Sequence, residues 1–164
     1  YENLDLDLKN NFYFKPRILD DLENWNVQDR LKYFLPENKI VLNYKKSFKS
    51  AKIIVTNSPK TSFYEAMISG PTILLYKEKH WRHTKHFNNL VLNLKKAKIL
   101  FEDPLLAAQH INKVWNKVDT WWENKQVKKA RRQFVNEACN MDDNSINIWR
   151  NFLTSQKDNR HDVK

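Results

Sequence analysis

Two unbroken apolar runs bracket one amphipathic segment in KIIVTNSPKTSFYEAMISGPTILLY, residues 52–76, and nothing else in the chain restricts its fold so tightly. KIIVT and PTILLY are short, apolar and rich in branched side chains, as expected of strands covered on both faces. Between them, SFYEAMIS puts Phe63, Ala66 and Met67 on one helical face, with Gly70 expected at the C′ position to close the helix. A strand, a helix and a strand in this order predict a parallel pair. HTKHFNNLVLNLKKA then reads as a helix and KILF, residues 98–101, as a further short strand. DPLLAAQHINKVWNKV follows, with Asp103 as N-cap and Pro104 at N1, the preferred order for a helix start. From Thr120 onward the pattern is helical, broken near 140–144. The expectation is an α/β fold, a Rossmann-like parallel sheet with additional C-terminal helices.

The upstream third is less regular. Residues 1–11 are polar and acidic, a lead-in or arm. NFYFKPRIL has an aromatic strand pattern ended by Pro16. In the next segment Trp25, Val27, Leu31 and Phe34 fall near one helical face, stopped by Pro36. KIVLNY, residues 39–44, reads as a strand and SFKSA as about one helical turn.

The chain has 164 residues, is 41% hydrophobic and 13% aromatic, and so can bury a real core as one domain. No apolar run approaches the roughly 20 residues that span a bilayer, and the N-terminus lacks the order of a signal peptide. With one cysteine, Cys139, an internal disulfide is excluded and a reducing compartment, the cytoplasm, is expected. The formal charge of +10 favours anionic company: nucleotide phosphates, nucleic acid or an acidic membrane surface. Abundant Lys, Asn and Ile beside a single glycine read as coding bias, which discounts that charge as functional evidence. The same scarcity of glycine rules out a P-loop or a GxGxxG loop.

The bend TNSPKTS, residues 56–62, ends a strand where a helix begins. Helix N-termini leave backbone N–H groups unpaired and carry partial positive charge, so they attract anions. Thr61 and Ser62 add hydroxyls, Lys60 a full charge, and Glu65 lies about one turn in. Glu65 either accepts from ribose hydroxyls or closes a capping box with Thr61 or Ser62. Ser, Thr and Asn also cap helices with no ligand present.

Taken together, IIVTNSPKTSFYEAMISGPTILLY resembles the nucleotide-sugar-binding half of GT-B glycosyltransferases, with Gly70 and Pro71 adjacent where that half has a "G-x-P-x-I" strand. A closer resemblance is to the LIC12162 family, sugar transferases of bacterial surface-polysaccharide loci. It rests on HWRHTKHF, on AKILF with Ala97 in place of the family's usual glycine, on AAQHINKVWNKVDTWW, and on RRQF and IWRNFL. KPRILDDLENW is similar to a degraded form of the family's Arg-containing strand. The resemblance covers residues 12–153 and is strongest over 52–122.

It implies a donor-binding C-terminal half of a glycosyltransferase, moving a sugar from a nucleotide-activated donor to a glycan or glycolipid acceptor, without a required metal or other cofactor. Thr56, Asn57, Lys60, Thr61, Ser62 and Glu65 would form the donor site, with Arg17 and Arg82 as phosphate partners; no catalytic residue is assigned. The implied division is a polar lead-in at 1–11, the Rossmann-like donor domain at 12–118, C-terminal helices packing on it at 119–156 and a disordered tail at 157–164. The chain then reads as part of a longer protein whose N-terminal domain is a partner, at the inner face of an anionic membrane. Two alternatives stand beside this: a basic nucleic-acid-binding module without catalysis, and a degenerate transferase fold kept for assembly. Nucleic acid is not expected as a partner, because no RRM or helix-turn-helix signature is present.

For His80, His83 and His86 no nearby Cys, Asp or Glu offers a strong fourth metal ligand; a loop over the donor with Trp81 against a base or sugar is the stronger reading, and a plain surface loop stronger still. His110 reads as a packed or capping histidine. Trp115, Trp121, Trp122 and Trp149 form a seam anchoring the C-terminal helices, or a surface for stacking carbohydrate or bases. KQVKKARRQF sets Val127, Ala130 and Phe134 on one face and cations on the other, a solvated face or a patch for anionic headgroups.

Overall fold

The computed structural model describes residues 1–16, 26–36, 39–41, 43, 48–80, 84–139 and 144–158. The elements are α1 (Leu6–Asn10), α2 (Val27–Lys32), β1 (Ile54–Thr56), α3 (Thr61–Ser69), β2 (Thr72–Leu75), α4 (Lys85–Lys96), β3 (Leu100–Phe101), α5 (Pro104–Val114), α6 (Val118–Trp122), α7 (Lys125–Ala138) and α8 (Ser145–Asp158). The sheet runs β1-β2-β3 and is parallel throughout, with Val55 opposite Ile73 and Leu74 opposite Leu100. This is the Rossmann-like α/β arrangement that the alternating pattern predicts.

Successive residues of β2 point to opposite faces, and the two faces carry separate cores. Leu74 and Tyr76 join Phe63 and Met67 of α3, Leu90, Val91 and Leu94 of α4, and Val127, Ala130 and Phe134 of α7. Ile73 and Phe101 join Ala107, Ala108 and Ile111 of α5 with Leu4 and Leu8. Phe134 anchors the first core, with ring centroids 5.1 Å from Phe63, 5.6 Å from Tyr64 and 6.1 Å from Phe87. Each such ring pair adds about 0.5–1.5 kcal/mol beyond area burial.

Helix starts follow local chemistry. Asp103 accepts from the Leu105 amide at 2.8 Å ahead of Pro104, Thr84 accepts from Phe87 and Asn124 from Gln126. Helix ends depart from expectation. Gly70 has φ 167° and ψ −161°, extended rather than left-handed. Left-handed backbone occurs instead at Asn26, φ 48°, ahead of α2, and at Lys98, φ 59°, at the end of α4. There Lys98 N–H reaches Lys95 O and Ile99 N–H reaches Leu94 O, both at 3.0 Å, and the buried pair Leu94 and Ile99 completes a Schellman closure.

Other differences concern what covers the sheet. Residues 1–11 are no free arm: Leu4 and Leu8 are buried on the second face, the Asn112 side chain binds Asp5 at 2.9 Å and Trp115 Nε1 donates to Asp7 at 2.9 Å. Two leucines four apart were enough to build that contact. Val55 is 42% exposed, so the first strand is covered on one face only among the described residues. Of the expected strands near Phe14 and Ile40, the described residues show one parallel bridge between Phe14 and Ile40; the rest of each falls partly outside the described residues. In α2 and after it, Leu35 is buried and Phe34 exposed; Trp25 lies outside the described residues. No helix among the described residues is long and apolar enough to cross a membrane.

Candidate functional site

Parallel pairing brings the carboxyl ends of β1, β2 and β3 to one rim, the place where ligands bind in open α/β sheets. Thr56 ends β1 there. Its hydroxyl is buried and has no hydrogen-bond partner among the described residues. The chain then bends through Asn57 to Lys60, and Asn57, Lys60, Thr61 and Ser62 are all exposed.

Lys60, not a hydroxyl residue, is the N-cap of α3, and its side chain makes no capping bond. Thr61 and Ser62 therefore occupy N1 and N2, and the capping box with Glu65 does not form, because Glu65 lies two positions beyond N3. Glu65 is exposed, and its backbone carbonyl accepts from Ser69 Oγ at 2.7 Å. Six of the expected donor-site residues, Thr56, Asn57, Lys60, Thr61, Ser62 and Glu65, thus share one bend and one helical turn. Arg17 and Arg82 lie outside the described residues, as do Trp81 and His83.

The rest of the rim carries a group that sequence reading missed. Lys95 of α4 forms ion pairs with Glu78, after β2, and with Glu102, after β3, at 3.4 Å for the latter. The Glu78 amide donates to Glu102 Oε1 at 2.9 Å, which with Lys95 holds the Glu102 carboxyl below the usual range. Burial opposes the Lys95 charge, but the two carboxylates outweigh it and raise its pKa. Burial and the same carboxylates push the Tyr76 phenol up. The available signal was an acid within three residues of each apolar run, in LLYKE and ILFE; partners 17 and 24 positions apart gave no periodicity to detect.

Beneath the opposite, amino-terminal rim lies a recess of about 360 Å³ lined by Phe48, Lys49, Ile54, Ser69, Gly70 and Pro71. It is separate from the strand tips and has a mixed polar and apolar lining.

A family model for the LIC12162 family transferases matches residues 1–153. The chain belongs to this family. The LIC12162 match spans both cores and the whole strand-tip rim, so the site residues sit within transferase sequence. No curated protein and no solved structure matches the chain.

The remaining candidates of this LIC12162 transferase separate cleanly. His110 packs between Phe101 and Trp121, at centroid distances of 5.3 and 5.0 Å, with Nε2 buried and unpartnered. Burial, then Lys98 and Lys113, lower its pKa to about 4, so it is neutral and structural. His86 Nε2 lies 2.8 Å from Glu137 of α7. Trp115, Trp121 and Trp122 belong to the body of the fold, and Arg131 sits 4.7 Å over the Trp122 ring. Trp149 does not anchor anything: it is 63% exposed.

Proposed function

We propose that this transferase is the donor-binding part of a glycosyltransferase, with the bend after β1 as the seat of the nucleotide phosphates. One observation carries the reading: an exposed helix start lacks a side-chain cap and adjoins a buried, unpaired threonine hydroxyl. Buried polar groups are nearly always paired, so an unpaired one at a rim suits a group supplied from outside. In this reading the amides of the first turn of α3, with Thr61 and Ser62, receive the phosphate oxygens. Lys60 offsets the charge that grows on the departing nucleotide as the sugar leaves. Glu65 accepts from ribose hydroxyls, and the sugar passes to a glycan or glycolipid acceptor held by an N-terminal domain, which also supplies the general base.

The test is a thermal-shift screen of nucleoside diphosphates and nucleotide sugars. A true ligand at a hundred times its Kd stabilises by about 2.7 kcal/mol, or roughly 5–10 °C for a chain of this length. Thr61→Ala with Ser62→Ala should abolish the shift while leaving the unliganded melting temperature within a degree or two. If no nucleotide shifts the protein and single-stranded RNA binds with a steep salt dependence, the donor-site reading fails.

A further inference from the structure

Cations are shared unevenly among the helices that cover the sheet. Within α3 there is none and within α5 only Lys113, whereas α4 and α7 together carry eight Lys and Arg against a single carboxylate, Glu137. Compositional bias would spread them over every helix. Three of the eight are engaged: Lys95 by Glu78 and Glu102, Lys128 and Arg131 by Glu123. The other five, Lys85, Lys96, Lys125, Lys129 and Arg132, are exposed and form no ion pair among the described residues. The two helices lie side by side and antiparallel. His86 Nε2 is 2.8 Å from Glu137, Asn93 Nδ2 donates to Gln133 at 2.8 Å and Gln126 Nε2 donates to the Lys96 carbonyl at 3.4 Å, so α4 read forward meets α7 read backward. Both bury their inner sides in one core, through Leu90, Val91 and Leu94 and through Val127, Ala130 and Phe134. The sides opposite that core therefore face the same way. On α4 that side holds Lys85, Asn89, Leu92 and Lys96, at i, i+4, i+7 and i+11. On α7 it holds Lys125, Lys129, Arg132 and Asn136 at the same spacing, and all eight side chains are exposed.

We infer that this two-helix face docks the protein on an anionic phospholipid surface, with its five cations on lipid phosphates and Leu92 in the headgroup boundary. The cations match the sign of an anionic leaflet. By helix rise and helix spacing they span roughly 16 Å along α4 and about 10 Å across the pair, an even plane that a bilayer can meet at every point at once. Leu92 is 49% exposed among these charges, and an apolar group there suits acyl chains, not a phosphate backbone. Single-stranded nucleic acid stacks on exposed aromatic rings, and none stands among these eight positions. Nucleic-acid recognition favours the arginine fork, and four of the five cations are lysine. A second copy of the chain would set like charge against like. The inference goes beyond the donor-site reading and stands without it, since none of these residues belongs to the bend after β1.

The experiment is co-sedimentation of the full chain with vesicles of phosphatidylcholine and phosphatidylglycerol in equal parts, against phosphatidylcholine alone. Binding is expected only to the anionic vesicles and should weaken with added salt. Lys96→Gln, Lys129→Gln and Arg132→Gln together should weaken it about 100-fold, near fivefold per cation. Leu92→Ser should weaken it about fivefold. Lys113→Gln, on α5 over the other face of the sheet, should change it by about twofold at most. All five side chains are exposed, so melting temperatures should hold and report intact folding. Absence of sedimentation with anionic vesicles, or equal losses from Lys113→Gln and Lys129→Gln alone, overturns the inference. So does an RNA or DNA duplex of about 20 base pairs that binds more tightly than the vesicles, weakens with the triple change and ignores Leu92→Ser, which would assign the face to nucleic acid.

Discussion

Exchanging the chain's left-handed lysine for glycine, and its only glycine for alanine, should stabilise the protein twice over. Lys98 holds φ 59°, a region that costs a side-chain-bearing residue about 1–2 kcal/mol. It is exposed, and both hydrogen bonds of its turn are made by backbone, so Lys98→Gly keeps them. Against the relief stands the extra freedom of glycine in the unfolded chain, about 0.5–1 kcal/mol. The net expectation is a gain of roughly 0.5–1 kcal/mol. Gly70 presents the reverse case. Its backbone is extended, and a Cβ built there meets nothing within 4 Å. Gly70→Ala should therefore gain about 0.4–1 kcal/mol by restricting the unfolded chain. Together the changes amount to about 1–2 kcal/mol, or roughly 2–8 °C in melting temperature at this length. Urea unfolding of the two single variants and the double variant measures this directly. A lower urea midpoint for Lys98→Gly would refute the left-handed assignment, and one for Gly70→Ala would show that the space above Gly70 is filled.

His110 should make stability depend on mild acid. Its folded pKa near 4 lies below the ordinary 6.5, so stability is complete above about pH 6.5 and declines as pH falls toward 4, where the unfolded chain takes up a proton that the folded chain refuses. His110→Phe keeps the ring between Phe101 and Trp121, removes the unpaired nitrogen and should flatten that decline; melting temperatures at pH 7 and pH 5 test it, and an unchanged slope would assign the dependence elsewhere. Asp103→Ala should cost about 1 kcal/mol through loss of the α5 cap, with Asp103→Asn nearly silent in the same urea titration.

The three strands, the helices between them and the Asp103-Pro104 start were legible because each is written in local periodicity or a local cap. Side-chain placement in the bend after β1 was legible only as far as its position at the strand tips. That Lys60 rather than Thr61 or Ser62 would be the N-cap depends on where the backbone turns helical, which hydroxyl content does not specify. Lys98 went unseen because left-handed positions are usually found through glycine, and here the glycine stands at a position that does not need it. The Lys95 cluster joins residues from three elements, so only the folded sheet assembles it. The exposed stripe of α8 has the same sequence pattern as a buried one: amphipathicity announces a face, not what covers it.

Along the strand-tip rim, the ion pairs among the described residues gather on one side. Beyond β2 and β3, Lys77, Lys79 and Lys95 are balanced by Glu78, Glu102 and Asp103. Beyond β1, Lys60 adds its charge beside the start of α3. On the donor-site reading proposed above, a guest with phosphates at one end and neutral hydroxyls at the other would set its phosphates toward Lys60 and its hydroxyls toward the ion-paired side of the rim.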